Sequence, residues 1–127
     1  MDRSITSMGG IKAEQEGITA RVEVDPPGLP SAKALAMQEL KPFLKAIADV
    51  NRLAILEELS RVDGLNVLDI ADRLLLSQPL TSWHLLILKR ARLVELTLLG
   101  RQHVYRLNRH RLQEYKEMFN EVLSFEF

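Results

Sequence analysis

The sequence has no cysteine in its 127 residues. Disulfides, thiolate metal sites and cysteine redox switches are therefore excluded together. No apolar run approaches the ~20 residues that a membrane-spanning helix needs. The opening MDRSITSMGG is polar and lacks the apolar stretch of a secretory signal. These features fit a cytoplasmic protein with no membrane partner. Internal repeats and low-complexity tracts are missing. So are a Gly-x-Ser-x-Gly elbow and a glycine-rich phosphate loop, and no catalytic constellation stands in their place. An enzyme is not expected. Net charge is missing too, since 17 Lys and Arg balance 17 Asp and Glu.

That balance is uneven along the chain. Arg73 to Arg111 holds eight Lys or Arg (73, 89, 90, 92, 101, 106, 109, 111) against one acid, Glu95. The stretches on either side are net acidic. All three histidines, His84, His103 and His110, lie inside the basic segment. One cationic segment on a neutral chain is the electrostatic footprint of a DNA-reading face, although chance clustering on a solvated face gives the same count.

Residues 1–30 differ in character from the rest. Gly9-Gly10, Gly17 and the run Pro26-Pro27-Gly28-Leu29-Pro30 punctuate them. Between these, Ile18, Ala20, Val22 and Val24 alternate at period two, the pattern of a short strand. This segment reads either as a mobile tail or as an arm that pairs with the body or with a second subunit. Residues 31–127 read as one domain.

From Ser31 to Asp49, Met37, Leu40, Leu44 and Ile47 recur at helical spacing, with Phe43 beside them. Pro42 lacks an N–H and its ring meets the carbonyl of Gln38, so a kink or two shorter helices are expected. Asp49 caps the next helix, whose buried stripe is Leu53, Ile55, Leu56 and Leu59, and Gly64 offers a stop. Asn66 caps a third helix, with Leu68, Ile70, Ala71 and Leu74 facing inward. Leu75, Leu76 and Ser77 form a turn. Ser77 then caps a fourth helix that tolerates Pro79 in its first turn. Leu85, Leu88 and either Leu80 or Thr81 hold this helix to the body. Gln78, Ser82 and Trp83 are left on the exposed side of its leading half, where such side chains reach base edges or phosphates. Lys89, Arg90 and Arg92 suit the helix C-terminus. Val94, Leu96 and Leu98 alternate with Glu95 and Thr97 as a strand, Gly100 turns the chain, and 103–107 returns. Arg101 sits at the tip, placed for a minor groove. A last helix begins at Asn108 or Arg109 and carries the stripe Leu112, Tyr115, Phe119, Val122 and Leu123.

The order of helix, turn, helix and hairpin is that of a winged helix-turn-helix. The expected class is mainly α, an α+β winged helix, with a helical body, a helix-turn-helix and a two-stranded β-hairpin wing.

Three segments carry a resemblance. FLKAIADVNRLAILEEL, VLDIADRL and LSQPLTSWHLLILKRARLVELTLLGRQHVYRL are similar to the ArsR/SmtB-type bacterial winged-helix repressors, roughly over Pro42 to Leu112. The resemblance implies a homodimer that binds an operator inverted repeat and represses transcription. It implies dimerisation through the first and last helices, here Met37, Leu40, Leu44, Leu112, Tyr115, Phe119 and Val122. It places contacts to double-stranded DNA on Gln78, Pro79, Ser82, Trp83, His84 and the wing around Arg101. With their neighbours Thr81, Lys89 and Gln102, these form the expected contact set. Many members release DNA when an effector binds, so an unknown small-molecule effector belongs among the expected partners.

The sequence departs from the family's pattern in four places. Where sensing cysteines commonly lie, the chain has Asn66-Val67-Leu68. The last helix offers Arg109, His110 and Arg111, then Val122 and Phe125, which cannot form the usual Asp/His/Glu site. No two histidines stand at i,i+4, so no metal and no cofactor is expected. Trp83 replaces a usual polar residue, with a ring to stack on sugar or meet a thymine methyl. Arg92 replaces a usual glycine where the backbone favours a left-handed turn. The competing reading is a winged helix reused as a protein-interaction module, with Trp83, Leu86 and Leu99 as its contact patch.

Overall fold

The computed structural model describes residue 28 and residues 30–126. The arm or tail expected over 1–30, with its strand, lies almost wholly outside the described residues. The chain divides into two units, 1–34 and 35–127. In the first, Ser31 Oγ accepts the Ala34 amide at 3.0 Å, capping the helix that follows.

The described elements run α1 (Ala32–Ile47), α2 (Val50–Ser60), α3 (Val67–Leu74), α4 (Gln78–Arg90), β1 (Val94–Leu99), β2 (Gln102–Leu107) and α5 (Arg109–Val122). This is a mainly helical winged helix with five helices and one antiparallel hairpin among the described residues.

The expected break at Pro42 does not occur, and α1 runs through it as one helix. Leu40, Phe43 and Ala46 are buried on both sides of the proline, while the proline itself is exposed. Losing one rung costs about 3 kcal/mol. Burying side chains of this kind returns about 1.5–3 kcal/mol for each large one, enough to hold the helix together.

Side-chain caps start the other helices. Asp49 accepts the amides of Asn51 at 2.8 Å and Arg52 at 3.2 Å. Asn66 accepts that of Asp69 at 2.8 Å, Ser77 that of Leu80 at 3.2 Å and Asn108 that of Arg111 at 3.0 Å. Two helices end in the same left-handed way. At the close of α3, Leu75 has φ 57°, and the Leu76 amide reaches back to the Ala71 carbonyl. At the close of α4, Arg92 has φ 64°, and the Leu93 amide reaches the Leu88 carbonyl. These are Schellman closures with a leucine and an arginine where glycine is cheapest. The left-handed turn expected at Arg92 is therefore kept without the glycine.

The core gathers Ile55 and Leu59 of α2, Ile70 of α3, Leu85 and Leu88 of α4, and Leu93 and Val94 at the start of the hairpin. Leu53 and Leu68, expected inside, are exposed. The α2 and α3 stripes are narrower than apolar content alone suggests. Gly64 does not stop α2, which ends earlier at Ser60. It lies where the Leu65–Tyr105 bridge draws the chain onto β2. A Cβ at Gly64 would stand 3.3 Å from Arg106 Cγ and 3.4 Å from the Tyr105 carbonyl. Gly100, at φ 63°, opens the two-residue turn of the wing, in the first central position that a type II′ hairpin reserves for glycine.

Candidate nucleic-acid interface

α4 is held by the residues at its inner spacing of three and four. Thr81 is 0% exposed and His84 3%, with Leu85 and Leu88 completing the stripe. Thr81 Oγ1 donates to the Ser77 carbonyl at 2.8 Å, so its hydroxyl is used inside the helix. The Nδ1 of His84 meets Arg52 Nη1 at 3.3 Å. Neither side chain can reach a duplex, and both leave the expected contact set. The resemblance places His84 among the contacts, and Thr81 is either a neighbour in that set or one of two candidates for holding the helix to the body. Their spacing to Leu85 and Leu88 was the signal that they belong to the buried stripe.

The other expected contacts on α4 are on the surface. Gln78, Pro79, Ser82 and Lys89 are exposed, and Trp83 is 53% exposed. The helix N-terminus keeps its partial positive charge, although Pro79 has no N–H and the Leu80 amide is taken by Ser77. Arg101 and Gln102 are exposed at the wing tip.

The eight bases of the cationic segment divide into two groups. Arg73 pairs with Glu58 at 3.2 Å. Arg106 Nε donates to the Asp63 carbonyl at 2.9 Å, and Arg109 Nη2 to that of Ser60 at 3.0 Å. Arg111 donates to Glu114 at 3.0 Å and Tyr115 at 3.3 Å, and its hydrogen bond with Glu114 chiefly holds its own proton more tightly. These four brace the fold. Lys89, Arg90, Arg92 and Arg101 are exposed and make no ion pair among the described residues. Counting charge along the sequence could not separate the two groups. Arg90 and Arg92 therefore join Lys89 and Arg101 as available cations.

Asp49, at the head of α2, is half-buried. Burial works to raise its carboxyl. The Arg52 amide, the nearby His84, the Asn51 amide and the Arg52 charge outweigh it and hold the group below the ordinary carboxylate range.

Of the expected dimer residues, Leu40 and Tyr115 are each 1% exposed and belong to the chain's own core, so neither can serve an interface. Leu112 and Val122 are half-buried against that core. Met37, Leu44 and Phe119 remain exposed, and Leu35 and Leu123 join them. A hollow of about 280 Å³ at the base of the wing is lined by Val62, Asp63, Glu95, Arg106, Leu107, Asn108 and Arg109. No cluster of three metal-ligating side chains occurs among the described residues. No helix among them is long and apolar enough to cross a membrane.

Residues 49–95, from the α2 cap into the wing, match the family model described as bacterial regulatory protein, arsR family. Over these residues the winged helix is similar to the ArsR family. Solved structures agree with that likeness. An ArsR-like transcriptional regulator from Rhodococcus sp. RHA1 is 29% identical over 68% of this chain and 80% of its own, with a TM-score of 0.63. The homodimeric winged helix-turn-helix DNA-binding domain Mb0332 from Mycobacterium bovis is 25% identical over 79% of this chain and 95% of its own, at 0.59. HlyU from Vibrio cholerae N16961 is 29% identical over 70% and 96%, at 0.56. No curated protein sequence matches. The fold is thus the DNA-binding fold of ArsR-family transcriptional regulators.

Proposed function

We propose that the chain is a homodimeric, sequence-specific DNA-binding regulator, acting in the cytoplasm as a repressor at an operator inverted repeat. The observation that carries this reading is the exposed leading half of α4. A capped helix N-terminus presents Gln78, Pro79, Ser82 and Trp83, while Lys89, Arg90 and Arg92, not engaged in ion pairs, lie at the opposite end of the helix and Arg101 lies on the wing. Gln78 and Ser82 supply hydrogen bonds to base edges or phosphates, and Trp83 supplies apolar contact to a thymine methyl or sugar. Lys89, Arg90, Arg92, Arg101 and Gln102 serve the backbone and the adjoining minor groove. The exposed apolar residues Met37, Leu44 and Phe119 support pairing of two copies through the end helices. The homodimeric state of the Mb0332 domain supports it as well. Without a thiolate, any effector is expected to be a small molecule rather than a cysteine-bound metal.

Selection of bound sequences from random duplex tests this. The expected product is a palindrome with half-sites about 10 base pairs apart, one helical turn or a multiple of it. Absence of enrichment at low salt overturns the reading. A second reading is favoured by the exposure of Trp83, Leu86 and Leu99, which form apolar points suited to a protein partner. Association with duplex that ignores salt, or no association at all, favours that alternative.

A further inference from the structure

Arg52 lies inside the molecule, and its hydrogen bonds go to two backbone carbonyls and an imidazole. Its Nε donates to the Ala46 carbonyl at 2.6 Å and its Nη2 to that of Lys45 at 3.2 Å. These carbonyls belong to the last turn of α1, whose C-terminal groups lack helical partners and whose dipole favours a cation. The remaining arm, Nη1, meets His84 Nδ1 at 3.3 Å. A guanidinium has donors only, so the imidazole must present its lone pair there and carry its proton on Nε2. That Nε2 is buried with no hydrogen-bond partner among the described residues. Leaving a buried N–H unpaired is costly, and α4 accepts the cost to keep an acceptor facing Arg52.

Both members of the pair also touch the one DNA-facing ring. The His84 and Trp83 rings pack edge to face with centroids 5.3 Å apart. The Arg52 guanidinium carbon stands 5.9 Å from the Trp83 centroid, within cation–π reach. Trp83 is thus gripped from within by two side chains while half of it faces solvent.

We propose that Arg52 and His84 are positioning residues for Trp83. They tie the end of α1 to α4 and set the angle at which the ring meets DNA. The inference rests on the DNA-binding reading above. It assigns sequence discrimination partly to two side chains that never touch the duplex.

Trp83 is the sole tryptophan, so its fluorescence reports one ring. The full chain is compared with His84→Leu, His84→Asn and Arg52→Lys by Trp83 emission in the free protein. Each is then compared by affinity for the selected duplex against a scrambled one. Asn offers an acceptor oxygen near the place of Nδ1. Lys keeps the charge, but its three donors sit on one nitrogen and cannot span acceptors met by three separate guanidinium nitrogens. His84→Leu and Arg52→Lys are expected to shift emission to longer wavelength and to cut discrimination about tenfold, the size of one lost base contact. His84→Asn is expected to restore both. If His84→Leu fails to fold, Arg52→Lys carries the comparison. Folded variants with wild-type emission and discrimination overturn the inference. A wild-type chain that prefers no duplex sinks the DNA-binding reading and the DNA half of this one. The emission comparison, made without DNA, then decides the clamp alone.

Discussion

Phe43 of α1 and Tyr115 of α5 stack with ring centroids 4.6 Å apart and planes 21° from parallel. Tyr115 also donates its hydroxyl to the Ala91 carbonyl at 3.2 Å, just past the end of α4, and accepts from Arg111. One residue thus fastens both end helices to the C-terminus of α4, within one chain. Tyr115→Phe keeps the stack and leaves two polar groups short of a partner. It is expected to lower stability by about 1–2 kcal/mol, read as a shift of the urea midpoint at unchanged slope. A midpoint equal to wild type means that the hydroxyl bonds contribute nothing.

Much of this architecture was legible because the signals were local. Asp49, Asn66, Ser77 and Asn108 each announce a helix start by a side chain that accepts an amide two or three residues on. The alternation from Val94 to Leu98 and the glycine at 100 announce the wing. What was illegible depends on which neighbour a residue meets. His84 looks like a groove contact by chemistry, and what outweighs that is its buried partner Arg52 on α2. Tyr115 and Leu40 look like interface residues because an apolar stripe does not say whether its cover is the same chain or another. Pro42 looks like a break because local rules cannot weigh the burial of Leu40 and Phe43 around it.

That correction narrows the proposed dimer face. Leu40 and Tyr115 substitutions would report unfolding, while Met37 and Phe119 are exposed in the single chain. Met37→Glu combined with Phe119→Glu is expected to give a folded monomer in sedimentation, with unchanged helical circular dichroism. Burying four carboxylates across a two-fold axis is strongly disfavoured. A persistent dimer of this variant would remove the end helices from the interface.

Leu75 sits at φ 57° and is 91% exposed, so it contributes strain without burial. Left-handed backbone costs a branched side chain about 1–2 kcal/mol. Glycine escapes that cost but gives back part of it through the freedom of the unfolded chain. Leu75→Gly is therefore expected to stabilise the protein by about 1 kcal/mol, seen as a higher melting temperature. A fall in melting temperature would mean that the leucine makes a contact that outweighs its strain.

The exposed cations and the α4 side chains should separate in their salt behaviour. Arg101→Ala is expected to reduce the slope of log affinity against log salt by about one, with little change in preference among sequences. Gln78→Ala should leave the slope intact and weaken discrimination at one position of each half-site. Ser82→Glu places a carboxylate against phosphates and should abolish binding without loss of fold. Titrations of the selected duplex over a range of potassium chloride check all three. A slope unchanged in Arg101→Ala would take the wing tip off the DNA.

Acid should weaken the fold through two half-buried carboxylates. Glu114 is held below the ordinary range first by its hydrogen bond from Arg111, against an opposing effect of burial, with His110, Arg111 and Arg92 adding their charge. Asp49 is lowered by the amides and charges around it, against burial. A depressed carboxyl binds fewer protons folded than unfolded, so stability rises with pH through its titration. Its contribution is complete above the unfolded value and is lost as pH falls through the folded one. Asn caps a helix about as well as Asp, so Asp49→Asn should keep α2 but lose this dependence. The variant is expected to be slightly weaker than wild type near neutrality and to converge with it once pH has fallen through the lowered folded titration of Asp49. Urea midpoints measured from neutrality downward give the comparison. Curves that run parallel throughout would show that Asp49 binds its proton alike in both states.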